Sequence, residues 1–301
     1  MKKLLTGCIS ALLGLALGGC GAGSDSQARP APPALPVTEG PPPFVKPPTF
    51  EGPVAKALCQ PADAAEPALQ GQVPIELRAA GFTGFNCNTE LVGQYEGDGA
   101  GWQHAWFEDC AYYGTAEAFG VQNTEPKPRT GPRGVVVVDV SDSSNPQLAG
   151  YLDSPAMLDP WESLKVNESR QLLAAVNGTA GAGGPELDIY DISGDCKAPR
   201  LLSTTPVGTA VGHAGHFAPD GMTYYGSPIQ AGIIKAMDIS DPTDPKLLTE
   251  SFPTGTHDLS ISDDGNRAFL ANDGGNGLTI MDVSEIQQRK PNPQPRIVSE
   301  L

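Results

Sequence analysis

The stretch Val135-Val-Val-Val-Asp139-Val-Ser141 decides the fold, because the chain writes it four times. The other copies are Leu187-Asp-Ile-Tyr-Asp191-Ile-Ser193, Ile234-Lys-Ala-Met-Asp238-Ile-Ser240 and Leu278-Thr-Ile-Met-Asp282-Val-Ser284. In the first three, a proline-marked turn (Pro146, Pro199, Pro245) and another apolar stretch follow. The key aspartates stand 52, 47 and 44 residues apart, the period of a four-stranded propeller blade. An aspartate at a strand end can accept hydrogen bonds from backbone N–H groups two residues on, and the following serine supports the same turn. The repeated aspartates are therefore expected to be scaffold, not a metal array.

Working outward, the unit after the third copy is the clearest. Lys246 to Phe252 reads as a strand, and His257 to Ser262 places Leu259 and Ile261 two apart, as a half-buried strand requires. Asp263-Asp-Gly-Asn266 is a hairpin turn, Arg267 to Asn272 the return strand, and Leu278 to Met281 the run into Asp282. This order predicts blades near residues 91–139, 147–191, 200–238 and 246–282, with a further blade beginning at 295–301. The expected fold is all-β, a β-propeller of about four recognisable four-stranded blades, incomplete at its C-terminus. Such a wheel would be a truncated sequence, or would close by strand exchange with its own N-terminal extension or with another chain. No segment carries a sustained helical period; Ile75 to Ala80, after Pro74, predicts one short helical turn.

With Asn145-Pro-Gln-Leu-Ala-Gly and Asp244-Pro-Lys-Leu-Leu behind them, the repeated segments resemble the LVIVD-repeat proteins, secreted or surface-anchored bacterial proteins. The resemblance covers residues 134–301 well and 85–133 loosely, and no copy spells the name in full. It implies a β-propeller and lends no catalytic residues.

The N-terminus predicts an address. Met1-Lys-Lys3 and the apolar run Leu4 to Leu17 are too short to span a bilayer and read as a signal peptide over residues 1–19. Leu17-Gly-Gly-Cys20 resembles a lipobox, which makes Cys20 the expected lipidation site and the membrane an expected partner. Gly21 follows in place of an aspartate, so an outer-membrane or cell-surface position is expected rather than the inner membrane. Residues 20–55 are dense in proline and predict an extended stalk below a domain at 56–301. The net charge of −16 opposes nucleic-acid binding. Cys59, Cys87, Cys110 and Cys196 are even in number and not spaced as zinc ligands, so disulfides are expected in an oxidising compartment. The favoured pairing is Cys87–Cys110 with Cys59–Cys196.

Chemistry in a propeller gathers where the innermost strands begin. Here those positions are Trp161 and Glu162, His213, then His257 and Asp258. His213 and His257 match one another, each seven residues before the aspartate of an Asp-Gly turn (Asp220, Asp264). Imidazoles and carboxylates converging there would bind a ligand, hold a transition metal or act as acid and base. Alternatively, each histidine bonds a neighbouring loop. His213-Ala-Gly-His216 is not a zinc motif, because residues three apart on a strand face opposite ways. The acidic turn Asn272 to Asn276 is the better calcium candidate but lacks the terminal glutamate of an EF-hand. No nucleophile elbow, phosphate loop or dinucleotide fingerprint occurs. The sequence therefore points to a non-enzymatic, lipid-anchored interaction scaffold for an envelope protein or carbohydrate, with no cofactor expected. The alternative is a metal-assisted hydrolase using His213, His257 and Asp258 or Glu162.

Overall fold

A computed structural model describes residues 58–65, 75–78, 84–97, 103–115, 134–177, 186–208, 213–227, 233–251, 256–272 and 277–301. The leader, Cys20, the stalk to residue 55 and the turn 273–276 lie outside the described residues.

Among the described residues, sixteen strands form four antiparallel four-stranded sheets, a β-propeller-like array of blades. The first blade is β1 (His104–Phe107), β2 (Cys110–Gly114), β3 (Val135–Asp139) and β4 (Gln147–Leu152). The second is β5 (Lys165–Asn167), β6 (Leu172–Val176), β7 (Glu186–Asp191) and β8 (Arg200–Pro206). The third is β9 (Ala214–Phe217), β10 (Thr223–Ser227), β11 (Ile234–Asp238) and β12 (Lys246–Ser251). The fourth is β13 (Thr256–Ile261), β14 (Arg267–Asn272), β15 (Leu278–Asp282) and β16 (Arg296–Glu300). Short helices α1 (Ile75–Arg78) and α2 (Ser284–Gln287) complete the described elements, with a 3-10 turn at Pro155–Leu158.

The blade boundaries differ from those read in the sequence by one strand. The strand after each Asp-x-Ser corner pairs with the strand before it, so it is the fourth strand of the same blade and not the first of the next. Arg296–Glu300 accordingly finishes the fourth blade and does not open a fifth. Leu91 to Tyr95 is not a strand; Tyr95 packs on the outer face of blade one with Tyr113, Val136 and Val138. The corner turn is compatible with either grouping, because it is a short antiparallel connection whichever blade owns the next strand. In every blade the register between the third and fourth strands slips once, beside Val137, Ile189, Ala236 and Ile280. That recurring β-bulge lets neighbouring apolar residues such as Leu201 and Leu202, or Ile297 and Val298, fall outside strict alternation.

The middle strands are buried on both faces, and alternate residues serve alternate blade interfaces. Leu173 and Ala175 face blade one, meeting Phe107, Tyr112 and Val137. Leu172, Ala174 and Val176 face blade three, meeting Phe217, Tyr224, Met237 and Ile239. Tyr225, Ile234 and Ala236 then meet Leu259, Leu270, Met281 and Ile286 of the fourth unit. Each fully buried leucine contributes roughly 2 kcal/mol of transfer free energy. The first strands lie innermost, β1 beside β5, β5 beside β9 and β9 beside β13. Among the described elements no comparable contact returns from β13 to β1, so the array is open.

At the corner end of the blades, each repeated aspartate accepts the serine N–H two residues on: Asp139 from Ser141 (2.9 Å), Asp191 from Ser193 (2.9 Å), Asp238 from Ser240 (2.9 Å) and Asp282 from Ser284 (3.0 Å). The same end is fastened between blades. Arg170 donates to the carbonyls of Gly221 (2.7 Å), Ile239 (2.7 Å) and Ser240 (3.0 Å), and Lys197 pairs with Asp139 at 2.7 Å.

The disulfides are Cys59–Cys87 and Cys110–Cys196, not the favoured pairing. Cys110 opens β2 opposite Asp139, and its neighbour in space is the loop after the second Asp-Ile-Ser corner, where the Tyr112 hydroxyl donates to the Cys196 carbonyl at 2.7 Å. Cys87 sits instead in a separate N-terminal knot. There the Asp63 carboxylate accepts from the backbone of Gln60 (2.7 Å) and Asn88 (2.9 Å), and Asn86 accepts from Ala64 (2.7 Å).

Candidate functional site

The opposite end of the blades, where β1, β5, β9 and β13 begin, carries a different kind of residue. Glu162 precedes β5 on a pinned turn. Ser163 Oγ donates to the Pro160 carbonyl (2.5 Å) and accepts from the Val176 N–H (3.0 Å), and the buried Tyr224 hydroxyl of blade three donates to the Ser163 carbonyl. The Glu162 N–H donates to the His213 carbonyl at 2.8 Å, inside an isolated parallel bridge between Glu162 and Ala214. Blades two and three are therefore joined at backbone level where both side chains arise.

Two of these residues have backbone angles that L-residues rarely adopt, Trp161 at φ 45° and His213 at φ 113°. The tertiary setting holds that strain, since Trp161 is buried and its ring lies 4.6 Å from the His213 ring. His257 is placed differently. The β13–β14 register slips between Thr256 and Asp258, so His257 is the extra residue of a bulge. A bulge re-aims the side chain it carries, and here it turns the imidazole toward blade three.

The result is a tight cluster from three consecutive blades. His213 Nε2 lies 2.9 Å from Glu162 Oε2 and 3.3 Å from His257 Nε2, and His257 Nδ1 lies 3.9 Å from Glu162 Oε2. The His213 and His257 rings meet edge-on at 4.7 Å. Exposure rises across the cluster, from 3% for the His213 side chain through 18% for Glu162 to 40% for His257, so solvent reaches it from the His257 side. Burial pushes the Glu162 carboxyl above its ordinary range, the His257 charge opposes this and Asp258 adds to it.

Asp258 is in electrostatic reach of Glu162 but turns back on its own strand, accepting from the Leu259 N–H at 2.7 Å. His216 is not part of the cluster. Its Nδ1 lies 2.7 Å from the Phe217 carbonyl oxygen, which can only accept, so that nitrogen carries the proton. Burial lowers its affinity for a second one. Two neighbours escaped the sequence reading. Lys165 of β5 donates to Gln103 Oε1 of the first blade at 2.7 Å, and burial lowers the ammonium's pKa while Asp258 and Glu162 pull it back. Both sit at inner-strand starts, so position alone could have found them; neither has a repeated counterpart to draw the eye.

A second grouping, Cys59, Asp63 and Cys87, has ligand-type atoms within reach of one another. Its two sulfurs are joined as a disulfide and are not thiolates.

Comparison with known proteins bears on the scaffold. The LVIVD repeat family matches residues 131–154 and 255–286. The first match holds β3, its corner and β4; the second holds His257 and ends just past the Asp282 corner. No curated protein matches the chain. Among solved structures, a protein from Lactobacillus plantarum aligns at 16% identity over 66% of this chain and 54% of its own, with a TM-score of 0.49. A β-propeller domain from Myceliophteria thermophila aligns at 11% identity over 65% of this chain and 56% of its own, TM-score 0.43. The periplasmic gluconolactonase of Pseudomonas aeruginosa aligns at 16% identity over 57% of this chain and 51% of its own, TM-score 0.42. The chain spans little more than half the length of several of the solved structures it matches.

Proposed function

We propose that the protein is a lipid-anchored interaction scaffold of the cell envelope, tethered through Cys20 and presenting the inner-strand end of its blades to an envelope partner. One observation carries this reading. Side chains from three blades converge at one end and open to solvent on one side, while the other end is committed to turns and cross-blade bonds. The leader and the proline-rich segment support tethering, and the disulfides suit an oxidising compartment.

The test is site-specific photocrosslinking of the full chain in its host cells. A photoreactive residue replacing Asp258 should give a discrete adduct, whereas one replacing Asp142 at the corner end should give none. Absence of any adduct from position 258, or the same adduct from both ends, would overturn the scaffold reading. Cys20→Ser should move the protein from the membrane to the soluble fraction; unchanged fractionation would remove the anchor from the proposal.

A second reading, hydrolysis at the same end, draws on the His213, His257 and Glu162 grouping. It requires turnover of a chromogenic ester that His257→Ala lowers at least about tenfold, an effect worth ~1.4 kcal/mol in the barrier.

A further inference from the structure

We propose that Glu162, His213 and His257 form a binding site for one divalent transition-metal ion of the zinc class. The proposal rests on the reading of the inner-strand end as the protein's binding centre and names what is bound there first. The ligand-type atoms of the three residues lie within 4.8 Å of one another. Bonds of about 2.1 Å to a tetrahedral ion set its ligand atoms roughly 3.4 Å apart. The His213 Nε2–His257 Nε2 separation is 3.3 Å, already at that edge, and the His213 Nε2–Glu162 Oε2 separation is 2.9 Å. A small swing of the half-buried carboxylate opens the second edge to the same length.

The donor chemistry selects the ion. Two imidazole nitrogens and one carboxylate oxygen suit zinc and its first-row neighbours, whereas calcium and magnesium require a shell of oxygens. Two neutral imidazoles that face one another through their Nε2 atoms can place one proton between them, or His213 can give it to Glu162, but one proton cannot serve all three contacts. A divalent ion satisfies all three lone pairs at once. Three protein ligands also leave a fourth position vacant, and the gradient of exposure sets it on the His257 side. That vacancy is where a partner's carboxylate, imidazole or water would complete the shell. The orienting contacts are in place: the Trp161 ring lies against His213, and the β13 bulge aims His257. An ion there would also tie blades two, three and four together across an open array.

The experiment uses the detergent-solubilised full chain, stripped with chelator and titrated with zinc, cobalt and calcium ions separately. The expected result is one zinc per chain, a chelator-reversible rise in the unfolding temperature, and the intense visible absorption of tetrahedral cobalt. Calcium should do none of these. His257→Ala, at a partly exposed position, and Glu162→Gln should each weaken zinc binding at least about tenfold. His104→Ala, outside the cluster, should leave it unchanged. Failure to retain zinc, unchanged affinity in His257→Ala, or an octahedral cobalt spectrum would each overturn the proposal. The two readings fail separately. Crosslinking through position 258 without zinc binding keeps the scaffold and rejects the metal, and zinc binding without crosslinking does the reverse.

Discussion

The two ends of the same blades follow opposite rules. At the corner end, the residue type recurs: Asp139, Asp191, Asp238 and Asp282 occupy equivalent positions and each makes the same bond to the serine two residues on. At the inner-strand end, Gln103, Glu162, His213 and His257 stand at comparable starts, and three of them are of different types. There only the histidine repeats, once, and the place is shared by side chains that meet. Fourfold recurrence of one residue with one local bond marks scaffold in this molecule, whereas the histidine that recurs in only two blades belongs to the site. Convergence of unlike residues marks the candidate site.

Targeted substitutions and an acid titration test that contrast. The largest effect should come from the corner end. Cys110 and Cys196 close a separation of 86 residues between blades one and two, so the double replacement Cys110→Ala with Cys196→Ala should destabilise by about 4 kcal/mol in a denaturant titration. Replacing Cys59 and Cys87 together should cost the blades much less, since that bridge lies within the N-terminal knot and joins no two blades. Equal losses would mean that the knot is integral to the blade array.

Next in size is Tyr224→Phe. Its hydroxyl reaches from blade three to the carbonyl of Ser163, beside Glu162, and both groups are buried. Losing it should cost about 2 kcal/mol, because the carbonyl is left without its donor. A change near zero would show that the Glu162 turn is held from within blade two alone.

A single corner should matter less. Asp191→Ala removes the bonds to Ser193 and the pair with Arg200, for a loss of about 1 kcal/mol. Acid should act on the corners and turns together. The Asp139 carboxyl is held at about 2 by Lys197 and Ser141, and that of Asp264 at about 2 by Ser262 and Asn266, against an ordinary 3.8. Because these folded values are depressed, their stabilisation is complete above the ordinary value and drains away as pH falls from 3.8 toward about 2. The denaturant midpoint should drop across that window.

The smallest effect should have the opposite sign. Burial raises the Glu162 carboxyl, so its ionised form is disfavoured in the fold above the ordinary carboxylate range. In chelator-treated protein at slightly alkaline pH, Glu162→Gln should therefore leave the unfolding temperature unchanged or raise it slightly. A clear drop would reassign Glu162 to the scaffold.

These contrasts also account for what the sequence made legible. The Asp-x-Ser corners act locally, through bonds to residues two positions away, so four copies in one chain announce them. The inner-strand starts followed from the blade order, which is why Glu162, His213 and His257 stood out before their distances were known. Blade ownership did not follow, because the turn after Asp139 looks the same whether Gln147–Leu152 closes one sheet or opens another. The partner of Cys110 depended on where the second corner sits in space, a contact between residues 86 apart. Lys165 and Gln103 meet across two blades, and no local pattern in either segment predicts it.

The slip between each third and fourth strand carries a consequence for how copies of the molecule meet at high concentration. The outermost strands expose Leu148, Leu201, Leu247, Ile297 and Val298 along edges whose backbone groups are half unpaired. Flat edges of that kind recruit strands from neighbouring molecules. A kink at the same register in all four makes each edge a poor template, because an incoming strand cannot stay in step past it. Copies packed side by side would then stay separate while the opposite ends of their blades remain free to engage something else.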